Sequence, residues 1–180
     1  MAQRFSCWHS VRSRGINSVC KVLLASFLMA GILFGQTAPA PDKIKKDVVT
    51  VQNAINEAVG ISLPGWGVLQ APKGAYLEGY GLVVTMEIAF DSPANPFTAN
   101  KSPEEVRATA AQRRKEVQEK LTNILKQKAG VLDSIAPTES VAIVMNILNT
   151  NPAYIPDMPA QIILSVKKQD AATVKFKEYK

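Results

Sequence analysis

The sequence predicts an α+β domain, a mixed or mostly antiparallel sheet of four to five strands with two amphipathic helices packed on one face. Three observations carry this. Residues 42–59 and 103–129 repeat apolar side chains at helical spacing, residues 75–90, 140–148 and 161–166 are β-rich, and Pro/Gly-rich connections separate them. About 140 residues follow the first forty, enough to bury roughly two thirds of the unfolded surface without a metal or a disulfide.

The first forty residues read as a leader. Met1 to Lys21 is polar and basic, Val22 to Phe34 is an uncharged apolar run, and Gln36-Thr37-Ala38-Pro39-Ala40 supplies the small residues of a cleavage site. Thirteen residues make a helix of about 20 Å, short of a hydrocarbon core of about 30 Å. Residues 1–40 are therefore expected to be a signal peptide, with an uncleaved anchor as the alternative, and residues 41–180 a single domain.

Removing the leader changes the chemistry available. The full chain holds 21 Lys and Arg against 15 Asp and Glu, but Arg4, Arg12, Arg14 and Lys21 are in the leader and no acid is. The remaining balance, 17 basic to 15 acidic, is nearly neutral. Cys7, Cys20 and His9, the whole complement of thiols and imidazoles, leave with the leader. That excludes a disulfide framework, a Cys or His nucleophile or base, a Ser-His-Asp triad and the usual zinc sites.

Along the domain, Ile44, Val48, Val51, Ile55 and Val59 form one helical stripe, with Asp42 as expected N-cap and Gly60 just past the end. Val68–Ala71 reads as a strand, Pro72-Lys73-Gly74 as a turn and Ala75–Phe90 as a long second strand. Ser102-Pro103-Glu104-Glu105 is a capping box with proline at the first helical position. It should start a helix reaching about Ala129, with Val106, Ala110, Val117, Leu121, Ile124 and Leu125 inward. Glu116 and Lys120 are spaced for an i,i+4 pair worth about 0.3 kcal/mol. Ser140–Leu148 and Gln161–Val166 read as strands, and the tail from Ala172 to Tyr179 as a strand or a short helix capped by Asp170. A strand, a long helix and a further strand normally cross right-handed, which sets the strands around Met86 and Val144 parallel if both belong to one sheet.

Several motifs fall short of a catalytic site. Ser165-Val166-Lys167-Lys168 has S-x-x-K spacing, but on a strand Ser165 and Lys168 point to opposite faces. Gly60-Ile61-Ser62-Leu63-Pro64 lacks the second glycine of a nucleophile elbow and follows a helix where that motif follows a strand. Gly79-Tyr80-Gly81 opens a strand, so no dinucleotide site forms there. Glu78 and Glu87 differ by nine positions and face opposite sides of a regular strand. Asp91, Asn95 and Asn100 bring one formal charge, thin for calcium. Arg113-Arg114-Lys115 is interleaved with Glu116 and Glu119, a solvated face and no nucleic-acid stripe.

Two long loops remain, Asp91–Lys101 and Asn149–Pro159. They hold five prolines and carry Phe97, Tyr154, Ile155 and Met158. If the preceding strands are parallel, both loops leave one end of the sheet and form either an apolar partner surface or a lid on the core. Tyr80 is a further contact candidate.

The run Gly79–Val84 on a long strand, then a capped helix, then Ser140-Val141-Ala142-Ile143-Val144, resembles small exported bacterial α+β proteins of unassigned function, over roughly residues 45–170. The resemblance implies an envelope location and transfers no active site. The expected function is an exported binding or scaffold protein, periplasmic or extracellular, with a protein, peptide or lipid partner at Phe97, Tyr154, Ile155, Met158 and Tyr80. No catalytic residue, cofactor, metal or nucleic acid is expected. Two alternatives stand beside it: a carboxylate- or serine-based hydrolase using Glu87 or Ser165, and a structural component anchored in the inner membrane through residues 22–34.

Overall fold

Five strands and two helices make up the described part of the chain, which in this computed structural model comprises residues 39–62, 66–90, 102–149, 152–153 and 155–180. Residues 1–38 and the loop 91–101 lie outside the described residues. Ala38–Lys180 forms one compact unit.

Helix α1, Pro41–Ser62, starts two residues earlier than an N-cap at Asp42 predicts. Pro41 takes the first helical position, where a missing N–H costs nothing, and the Ala40 carbonyl accepts from Lys43 and Ile44. Asp42 is thus inside the first turn, where its charge complements the helix dipole. At the other end the helix runs through Gly60 to Ser62, so that glycine does not stop it.

The hairpin differs from the expectation. Strand β1, Trp66–Leu77, continues through Pro72-Lys73-Gly74, and the turn is at Glu78–Tyr80 before β2, Gly81–Phe90. β1 is an edge strand, and its register slips between Val68 and Gln70 and again between Gln70 and Lys73, so Pro72 sits in a bulge where no ladder donor is required. The Pro72 carbonyl accepts from Gln52 Nε2 of α1 at 2.9 Å. Gly79 and Gly81 both have positive φ, at 76° and 117°, and these make the turn.

Helix α2, Pro103–Lys128, begins with the expected capping box. Glu105 N–H donates to Ser102 Oγ at 3.2 Å, and Ser102 N–H donates to Glu105 Oε2 at 2.7 Å. Its buried residues are the six of the predicted stripe. Lys115 pairs with Glu119 at 3.9 Å, and Gln112 donates to Glu116 at 3.0 Å. A single turn of 3₁₀ helix, Ala129–Val131, leads to the loop before β3, Ser140–Asn149. β4 is Gln161–Lys167, and after a second 3₁₀ turn β5, Lys175–Tyr179, settles the tail as a strand.

The strands lie in sequence order, β1-β2-β3-β4-β5, with β2 and β3 parallel and every other pair antiparallel. This is an α+β fold with an open mixed sheet. Leu82, Val84, Met86 and Ile88 of β2, Val141, Ile143 and Met145 of β3, and Ile162, Leu164 and Val166 of β4 meet Val51, Ile55, Leu121 and Leu125 from the helices in one core. Both helices cover the same face. Gly74 lets α1 lie close on β1, because a Cβ there would come within 2.8 Å of Val48. Among the described residues no helix is long and apolar enough to cross a membrane.

Candidate functional site: an apolar cleft beside α2

Arg107, Ala110, Ala111 and Arg114 recur at helical steps of three, one and three, which puts them on one stripe of α2. The two alanines end at Cβ, so the helix surface dips between the arginines. The opposite wall is Ile155, Pro156, Asp157 and Met158 from the β3–β4 connection, and together they enclose a cleft of about 210 Å³. The connection is tied down: Asn149 Nδ2 donates to the Ile155 carbonyl at 2.8 Å, Met158 N–H to the same carbonyl at 3.4 Å, and Ile147 N–H to Ala160 at 2.8 Å. Ile155 and Met158 are buried and belong to the core while lining the cleft. At the rim, Arg114 Nε lies 3.5 Å from Glu178 of β5, and Lys180 Nζ 3.0 Å from Asp157.

Ligand pockets typically measure about 300–1,000 Å³, so this cleft accepts one short apolar group. The Arg107 and Arg114 guanidinium groups stay charged at any pH a protein meets, and a carboxylate on such a group would reach Arg114 in competition with Glu178.

The other expected contact residues separate. Phe97 and Tyr154 lie outside the described residues, as does the Asp91, Asn95 and Asn100 oxygen set. Tyr80 is exposed at the Gly81–Ser140 end of the parallel pair, whereas the β3–β4 connection leaves from the Phe90–Asn149 end. Ten residues of strand, about 33 Å, therefore divide Tyr80 from the cleft. Of the hydrolase candidates, Glu87 and Ser165 both stand on the sheet face away from the helices. Lys168 Nζ donates to the carbonyls of Leu132 and Ile135, at 2.5 and 2.7 Å, which positions it as a loop clamp.

Sequence reasoning missed the polar anchors of the loop 132–139. Asp47, 3% exposed, accepts at Oδ2 from both Ser134 N–H and Ser134 Oγ, at 2.7 Å each. Glu139, 6% exposed, accepts from Tyr76 Oη at 2.7 Å and from Ala136 N–H at 2.8 Å. Asp47 carried a signal, since it lies three residues after Ile44 and four before Val51 on the apolar stripe, where an acid needs partners. Glu139 carried none.

The hydrogen bond to Glu139, then burial, then the negative charges of Glu139 and Glu78 push the Tyr76 phenol up to about 12 from 10.0. The neutral phenol is the form the fold favours. Its stabilisation is complete below pH 10 and is lost as the pH climbs toward 12, because the unfolded chain releases this proton first. The stability gap between the parent protein and Tyr76→Phe, followed by urea unfolding, should narrow across that window. A gap that stays constant refutes the assignment.

No family model matches the chain, and no curated protein or solved structure matches it either. The cleft and its chemistry therefore carry the functional argument.

Proposed function

We propose that the chain is an exported binding protein of the bacterial cell envelope, and that its cleft takes a short apolar group bearing a carboxylate. The observation that carries the reading is the cleft itself, with its apolar floor of Ala110, Ile155 and Met158 between two arginines. A firm apolar anchor site with charged groups at its mouth is how a binding surface concentrates affinity in few residues. The leader pattern of residues 1–40 supports export, and the nearly neutral remainder supports a partner other than nucleic acid.

Hexanoate is a suitable probe, with hexanol and hexylamine as its uncharged and cationic counterparts. Hexanoate should shift the Ile155 and Met158 methyl resonances saturably, and hexylamine should not. Ala111 is exposed, so Ala111→Trp can fill the cleft at little cost to the helix, and it should abolish binding. Arg114→Gln should weaken binding by about tenfold, the loss of one charge-assisted hydrogen bond. Equal affinity for hexylamine, or undiminished binding by Ala111→Trp, sinks the reading. The export half is separable: intact mass of the protein recovered from cell fractions should show a chain shortened by its first forty or so residues.

A further inference from the structure

Both walls of the cleft are tied to one short stretch, Glu178 to Lys180. Arg114 of α2 pairs through Nε with Glu178 Oε1 at 3.5 Å, and Asp157 of the opposite wall pairs with Lys180 Nζ at 3.0 Å. The register explains how β5 reaches the rim. Glu178 stands directly opposite Ile162, which is buried in the core, and opposed residues of an antiparallel pair share a face. Glu178 is therefore on the side of the sheet that the helices cover. The backbone here is fixed, since Ala160 N–H donates to the Tyr179 carbonyl at 2.8 Å. The Glu178 side chain is not enclosed: it is 31% exposed and can turn to solvent without moving the strand.

We infer that Glu178 is a specificity-determining residue of the cleft, an internal carboxylate that a ligand's carboxylate must displace from Arg114. This rests on the cleft's taking an apolar group that bears a carboxylate, and it says how that site grades such ligands. The distance supports it. A guanidinium and a carboxylate joined by charge-assisted hydrogen bonds sit about 2.7–2.9 Å apart, often through two parallel bonds. At 3.5 Å, Glu178 balances the charge of Arg114 without making that short fork. A ligand carboxylate that does make it replaces a long pair with a short one, and a pair as exposed as this is weakly held. An apolar group ending in an alcohol or an amide brings no formal charge, so it leaves Glu178 in place. The cleft thus admits acids over neutral groups of the same length, with Glu178 limiting how large that preference is.

The test compares hexanoate and hexanol, read through the Ile155 and Met158 methyl resonances, on the full chain, on Glu178→Gln, on Arg114→Gln and on the double variant. Glu178→Gln keeps the size of the side chain and removes its charge. It should raise the affinity for hexanoate relative to hexanol by about two- to fivefold, the strength of an exposed ion pair expressed as affinity. In the Arg114→Gln background the same substitution should leave the ratio where it was, because the guanidinium being contested is gone. An unchanged ratio in Glu178→Gln, or an equal rise without Arg114, overturns the inference while the cleft reading stands. Hexanoate that moves the methyl resonances of neither the parent nor Glu178→Gln removes both.

Discussion

Gly81→Ala lowers the unfolding free energy by about 3 kcal/mol or more, one of the larger effects a single methyl group can have. Two costs add at this position. Its φ of 117° lies where residues with a Cβ are strained, and a Cβ there falls on the backbone carbonyl of Ser140. That carbonyl cannot step aside, because Ser140 N–H donates to the Tyr80 carbonyl at 2.7 Å and holds the start of β3 against the turn. Gly79 is the internal control. It also has positive φ, but a Cβ there meets nothing within 4 Å, so Gly79→Ala should cost only about 1–2 kcal/mol. Urea unfolding of both variants checks this through the transition midpoint at constant slope. Equal losses would remove the close approach from the account.

Glu139→Ala should cost about 2 kcal/mol. The carboxylate is buried and accepts two hydrogen bonds, and deleting it removes the partner of the half-buried Ala136 N–H as well as of the Tyr76 hydroxyl. The loop it organises also receives Lys168 N–H on the Glu139 carbonyl and Gln169 N–H on Pro137, so the end of β4 loosens with it. Tyr76→Phe in the Glu139→Ala background should then cost less than in the parent, since its partner is already gone. Thermal and urea denaturation of the four proteins supplies the cycle. Additive losses would show that the two side chains act separately.

Much of the fold was legible because its determinants are local. The capping box at Ser102 and Glu105 needs three residues to be recognised, and the stripe from Val106 to Leu125 is a matter of helical spacing. The parallel direction of β2 and β3 followed from the long helix that returns the chain between them, given that both strands join one sheet, which the structure decided. The hairpin was not legible, since Pro72-Lys73-Gly74 and Glu78-Gly79-Tyr80-Gly81 are both competent turns. The cleft was legible in part. Ile155 and Met158 were marked as apolar residues in a proline-rich connection, but their wall-mates Arg107, Ala110, Ala111 and Arg114 read only as helix.

The amino-acid order by itself determined the helices, the β-rich runs and the absence of thiol and imidazole after residue 40, because each depends on neighbours a few positions apart or on composition. The tertiary structure alone decided which turn closes the hairpin, which acids are buried and what lies opposite the dip in α2. Those outcomes rest on contacts between residues far apart in the chain, 63 positions for Tyr76 and Glu139 and 87 for Asp47 and Ser134. No periodicity within a segment can encode a partner that only the packed sheet brings near.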